Sequence, residues 1–198
     1  MQVIVLSKHP LNDGRIERHL KCLLSQRYNV FRIHFNRYEH ALLPGEFSEF
    51  GERGYRINVA PRIGPKNDNP MYFHILCFTP LMALLAKDAL KSLKVDTTLP
   101  TLLHVHDPAL LNLAVFLKRS LFLDARIVYD RHEVYETRVS LLRLKLPNIE
   151  RLYEVLTRDR IEGVISISKE HNSSIKGLFP KARIVTVPNY PSTSDYDH

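Results

Sequence analysis

The feature that most constrains this chain is an alternation. Short apolar runs rich in β-branched residues are separated by longer stretches in which apolar residues recur every three to four positions. Residues 2–7, 29–35, 55–60, 101–106, 125–130, 163–168 and 183–187 read as strands. Helical spacing covers 16–27, where Ile16, Leu20, Leu23 and Leu24 share a face. It covers 71–93, 108–122 and 168–178 as well, with two further helical pieces divided near Pro147. Strand–helix–strand order of this kind builds a parallel sheet from βαβ units. Val3-Ile4-Val5-Leu6 and Ile127-Val128-Tyr129 are apolar throughout, as strands covered on both faces are. The expected fold is therefore α/β: a Rossmann-like, doubly wound, mainly parallel sheet of about seven strands.

Composition narrows the classes. A length of 198 residues suffices for one substantial core. A charged fraction of 25% with 44% hydrophobic residues excludes disorder as a description of the whole. Two cysteines exclude a disulfide scaffold, and Cys22 and Cys77 are expected as reduced thiols packed like small hydrophobes. The apolar stretch 75–86 contains Thr79 and Pro80 and falls short of the roughly 20 residues that cross a bilayer. The first residues lack the basic leader of a signal peptide, so a cytoplasmic location is expected. Lys and Arg number 28 against 21 Asp and Glu, a net charge of +7. That balance suits a phosphorylated ligand or an anionic membrane surface. Nucleic acid is disfavoured, because the aromatic residues are not interleaved with Lys and Arg in a recognisable motif.

In an open parallel sheet, ligands bind beyond the carboxyl ends of the strands. Five of the ten histidines fall there: His9, His34, His104, His106 and His132. His104 and His106 are two apart on one strand and point the same way. His106, nearer the rim, is the candidate catalytic imidazole, able to donate to a substrate oxygen or act as a base. His104 is expected as a buried neutral imidazole satisfied by a carbonyl. Asp13, Gly14 and Arg15 open a helix whose N-terminus attracts anions, with Arg15 able to fork onto phosphate and Asp13 a natural N-cap. His132 and Glu133 can orient sugar hydroxyls, or Glu133 can form a loop ion pair with Arg131. A metal site is not expected. The zinc-hydrolase pattern H-x-H-x-D-H fails at Pro108 and Ala109, and Asp107 reads as the cap of the next helix. The motifs G-x-G-x-x-G, G-x-x-x-x-G-K-[ST] and G-x-S-x-G are absent, which disfavours a dinucleotide dehydrogenase, a P-loop NTPase and an α/β-hydrolase. The helix at 71–93 is expected to be mainly core, with a possible membrane-facing role for its aromatic start and its lysines.

Four pieces in order resemble the N-terminal half of family 4 glycosyltransferases: His104-Val105-His106-Asp107-Pro108, Val128-Tyr129-Asp130-Arg131-His132-Glu133, Gly163-Val164-Ile165-Ser166-Ile167-Ser168 and Val187-Pro188-Asn189-Tyr190-Pro191. The opening His9 to Ile16 is similar to that family's first loop, but carries only Gly14 where paired glycines are common. The resemblance implies a GT-B architecture with the active site between two Rossmann-like domains. It implies sugar transfer from a nucleotide-sugar donor, with retention and without a required metal or other cofactor. The acceptor would be a saccharide or a lipid-linked molecule at the cytoplasmic membrane face. In the family the histidine matched by His106 contacts the sugar. Residues 1–187 would form the acceptor-side domain. Residues 188–198 would lead toward a C-terminal donor-binding domain, supplied in cis or in trans, and the chain is expected to be inactive alone. A nucleotide-sugar 2-epimerase half and a non-catalytic basic docking module are the alternatives.

Overall fold

The computed structural model describes residues 1–9, 11, 13–36, 42–59, 77, 80–132 and 149–188. Its strands are β1 (Gln2–Ser7), β2 (Asn29–Asn36), β3 (Gly45–Phe47), β4 (Arg53–Asn58), β5 (Thr101–Val105), β6 (Arg126–Arg131), β7 (Gly163–Ser166) and β8 (Arg183–Thr186). They form one sheet in the order β3-β4-β2-β1-β5-β6-β7-β8. Every neighbouring pair is parallel except β3 with β4. The described α-helices are α1 (Gly14–Ser25), α2 (Pro80–Ser92), α3 (Leu111–Ser120), α4 (Ile149–Thr157) and α5 (Asn172–Leu178).

The doubly wound α/β expectation holds, with eight strands in place of seven. The extra strand, β3, lies in a stretch expected to be a loop. Three residues carry no periodicity to read. What forms β3 is local: Gly45 takes φ 135°, and the Phe47 ring lies directly over Gly54 of β4. A Cβ at Gly54 would sit 2.6 Å from the Phe47 ring, so the contact needs glycine there. The helices expected from 108 and 168 each begin as a single 3₁₀ turn, Pro108–Leu110 and Lys169–His171, before becoming α3 and α5.

Alternation along β1 divides the interior in two. Ile4 and Leu6 face the larger cluster, with Ile33, Leu103, Val105 and the buried sides of α2, α3 and α5. Val3 and Val5 face Ile16 and Leu20 of α1. β1 is thus buried on both faces, as its unbroken apolar run implies. Cys77 is buried as expected, but Cys22 is exposed. The buried stripe of α1 is Ile16 and Leu20, one turn apart, and Cys22 lies two residues on, toward solvent. No helix among the described residues is long and apolar enough to cross a membrane. Apart from Cys77 and Pro80, the aromatic start of the 71–93 stretch lies outside the described residues, and so does the first helical piece before Pro147.

One buried polar contact fastens α4 to the sheet. Glu154, fully buried, accepts hydrogen bonds from Arg131 Nε at 2.6 Å and Tyr129 Oη at 3.2 Å. Arg131 and Tyr129 both belong to β6, so this carboxylate joins helix to strand. Glu154→Ala removes the carboxylate from a buried guanidinium, and the expected loss is about 3–5 kcal/mol of unfolding free energy by urea titration. A loss under about 1 kcal/mol would mean that the pair does not fasten α4.

Candidate functional site at the carboxyl edge of the sheet

The register of β1, β5 and β6 builds the site. Leu6 pairs with Val105, and Val105 pairs with Tyr129. One step further along, Ser7, His106 and Asp130 stand side by side at the carboxyl ends, with His106 N–H donating to the Leu6 carbonyl at 3.1 Å. His104 and His106 project from the face opposite Leu103 and Val105, which is the face α1 covers. From α1, Arg15 and His19 reach the same place, one helical turn apart.

The result is a buried group of three imidazoles around one carboxylate. His106 is fully buried, Asp130 is 1% exposed and His104 is 5% exposed. His106 Nδ1 lies 3.2 Å from Asp130 Oδ2, and His19 Nδ1 lies 3.7 Å from the same oxygen. The His104 and His106 rings are 4.5 Å apart, and the His19 ring lies 5.2 and 5.3 Å from them. Arg15 approaches the other carboxylate oxygen, Oδ1, at 3.9 Å. Burial and the neighbouring His106 push His19 down to about 4 and hold His104 well below the usual histidine value. Burial opposes charge on Asp130, but contact with His106 outweighs it and lowers its pKa.

Beside this group lies a rim in which Lys8, His9 and Asp13 are partly exposed and Asp107 is buried. Asp107 Oδ1 receives Lys8 Nζ at 3.2 Å and His9 Nε2 at 3.3 Å. The other His9 nitrogen lies 3.6 Å from Asp13 Oδ2, and its ring meets the His132 ring edge-on at 4.9 Å. Asp107 therefore does not cap the following helix as expected. It occupies the cap position, yet no helix N–H reaches its side chain. Two cationic groups at the rim hold the carboxylate more strongly than a neutral cap contact. Burial works to raise the Asp107 pKa, and Lys8 and His9 override it, taking it to about 2.

The sequence-predicted residues fall in three places. His106 and Arg15 meet at Asp130, inside the protein. Asp13 and His132 meet at His9, on the rim. Glu133 lies outside the described residues. Asp13 does cap α1, its Oδ1 accepting the N–H groups of Arg15 at 3.0 Å and Ile16 at 3.3 Å. Those two donors are thereby engaged within the protein. At Gly14 an added Cβ would make only an ordinary contact of 3.5 Å with Arg18. His104 is buried as expected, but among the described residues its Nε2 has no hydrogen-bond partner. His34 is buried on β2 against Phe47, and burial pushes it down to about 3. Sequence reasoning missed His19 and Asp130. The available signal for His19 was its i+4 spacing from Arg15 on the predicted helix, and for Asp130 its place one residue past Tyr129 on a recognised strand.

No protein-family model and no curated protein matches the sequence. Solved structures do match. Sucrose-phosphate synthase from Thermosynechococcus elongatus aligns with a TM-score of 0.66 at 13% identity, over 95% of this chain and 48% of that one. A UDP-forming α,α-trehalose-phosphate synthase from Burkholderia xenovorans aligns at 0.59 and 13%, over 95% and 48%. An E. coli trehalose-6-phosphate protein bound with UDP-2-fluoro glucose aligns at 0.58 and 13%, over 98% and 50%. The chain shares its fold with about one half of each of these synthases, and it spans about half of their length.

The rim yields a pH prediction. Burial works to lower the His9 pKa, but the hydrogen bond and charge of Asp107 outweigh it, so the folded value is raised above 6.5. Its stabilising contribution is complete below that value and is lost as pH rises through the raised one. Asp107 contributes above 3.8, and its contribution is lost as pH falls through about 2. His9→Gln is therefore expected to lower Tm most at about pH 5–6 and progressively less at about pH 8–9. A Tm gap constant across that range would contradict the pairing.

Proposed function

We propose that this chain is the N-terminal, acceptor-side domain of a retaining glycosyltransferase that takes its sugar from a nucleotide-sugar donor. The observation that carries this reading is the gathering of ionisable groups at the carboxyl ends of β1, β5 and β6, on a fold shared with UDP-dependent synthases. That edge is where an open parallel sheet presents its ligand site. The resemblance to family 4 glycosyltransferases supports the same reading at the finer level.

Within it, the C–O bond between the anomeric carbon and the donor diphosphate breaks, a bond from that carbon to an acceptor hydroxyl oxygen forms on the same face, and the hydroxyl proton passes to the departing diphosphate. The leaving diphosphate would be held mainly by the C-terminal domain, with Arg15 on this side of the cleft. Asp13, Gly14, His132 and Glu133 line the cleft toward the hydroxyls of donor and acceptor. His106 Nδ1 lies 3.2 Å from Asp130 Oδ2, and among the described residues Nε2 has no hydrogen-bond partner. Nε2 is the atom assigned to the donor sugar. Because His106 is buried, ligand entry must displace the groups in front of it. The acceptor is a saccharide or a lipid-linked molecule, and the excess of basic residues suits phosphate on either substrate or an anionic membrane surface.

The test is sugar transfer by the full two-domain polypeptide, compared with its His106→Ala variant and with the 198-residue chain alone. The expected outcome is a loss of at least about 100-fold in kcat/KM for His106→Ala and no transfer by the isolated chain. An unchanged rate in the variant removes His106 from the active site. Conversion of the donor to an epimer without acceptor would assign the 2-epimerase reaction instead.

A further inference from the structure

Four atoms of the buried group, one from each residue, share a property. Among the described residues, His19 Nδ1, His104 Nε2, His106 Nδ1 and Asp130 Oδ2 are all buried, and none has a hydrogen-bond partner. His106 Nδ1 and Asp130 Oδ2 are close enough at 3.2 Å but are not aligned for a hydrogen bond. Polar atoms left like this inside a protein cost about 1–3 kcal/mol each, so a set of four calls for an occupant. One ligand atom from each residue lies within 4.8 Å of the others.

We propose that His19, His104, His106 and Asp130 form a binding site for a divalent transition metal, with zinc the best match in ligand type and number. Three imidazoles and one carboxylate are a zinc ligand set, and four protein ligands make a closed tetrahedral shell. Bonds of about 2.0 Å give a tetrahedron with edges of about 3.3 Å. The separations from Asp130 Oδ2 to His106 Nδ1 and His19 Nδ1, 3.2 and 3.7 Å, bracket that edge. Arg15 approaches the other oxygen, Oδ1, at 3.9 Å. The donors come from α1, β5 and β6, so the ion would clamp the first helix onto two central strands. A closed shell makes this clamp structural, with no open position for substrate. Coordination through Nδ1 would also place the ring proton of His106 on Nε2. The site goes beyond the glycosyltransferase reading and does not rest on it.

The experiment uses the 198-residue chain without an affinity tag. The chain is stripped with chelator, then titrated with Co²⁺ and Zn²⁺ while absorption, binding heat and Tm are followed. The expected result is one ion per chain, a tetrahedral cobalt spectrum displaced by Zn²⁺, and a rise in Tm on binding. His19→Gln and Asp130→Asn, checked for folding by circular dichroism in chelator, are expected to bind at least about 100-fold more weakly. His171→Ala, which lies outside the cluster, is expected to bind like the unmodified chain. Absence of saturable binding by the unmodified chain overturns the proposal and leaves water as the occupant. So does binding that His19→Gln and Asp130→Asn both leave intact. These readouts need no donor, acceptor or second domain, so failure of the metal site and failure of the transferase reading are separable.

Discussion

A carboxylate with 1% exposure has lost its water and must be solvated by the protein around it. Asp130 is in that position, and the rest of the carboxyl edge is arranged about it. His106 and His19 approach one oxygen and Arg15 the other. The three groups come from a strand neighbour and from two successive turns of α1. The same contacts tie the first helix to β6, because Arg15 and His19 reach Asp130 from one face of α1. Ile16 and Leu20 then fall onto Val3 and Val5, and packing and electrostatics agree on one placement.

The parallel topology turns this local constraint into a site. A crossover between β4 and β5 puts β5 on the far side of β1 from β2. The chain therefore reverses direction of growth at β1, the position at which doubly wound sheets open a crevice. The rim of Lys8, His9, Asp13 and Asp107 lies at that crevice, with His132 against it. Two layers result: a partly exposed ionic rim, where ligand would arrive, and a buried imidazole–carboxylate group behind it, which fixes geometry. Asp107 links them, lying next to His106 in sequence while its carboxylate is committed to Lys8 and His9.

Much of the fold was legible because the strands that build its centre are buried on both faces. β1 and the centres of β5 and β6 carry short apolar runs, Val3 to Leu6, Leu102-Leu103 and Ile127 to Tyr129, and such runs stand out against helical periodicity. β3 was not legible, since three residues show no periodicity and their pairing depends on the Phe47 ring seated over Gly54 of the next strand. The site was legible in outline. Histidines following strands pointed to the carboxyl edge, and Asp13 read correctly as the cap of α1. Its internal pairing was not legible. From sequence, His104 and His106 pair with each other on one strand, and Asp107 reads as a cap. The register Val105 to Tyr129 joins the two histidines to Asp130, and the rotation of α1 adds His19. Asp107 shows the same limit: a cap position is a local signal, whereas Lys8 and His9 come from another strand end.

The claim on which the functional reading stands is that donor sugar binds at the carboxyl ends of β1, β5 and β6. The most direct measurement is a crystal structure of the full polypeptide with a non-hydrolysable nucleotide-sugar donor. The predicted result is sugar density at this edge, within hydrogen-bond reach of His106 Nε2 or of the rim around Asp13 and His132. Donor sugar bound without contact to any residue at these three strand ends would contradict it.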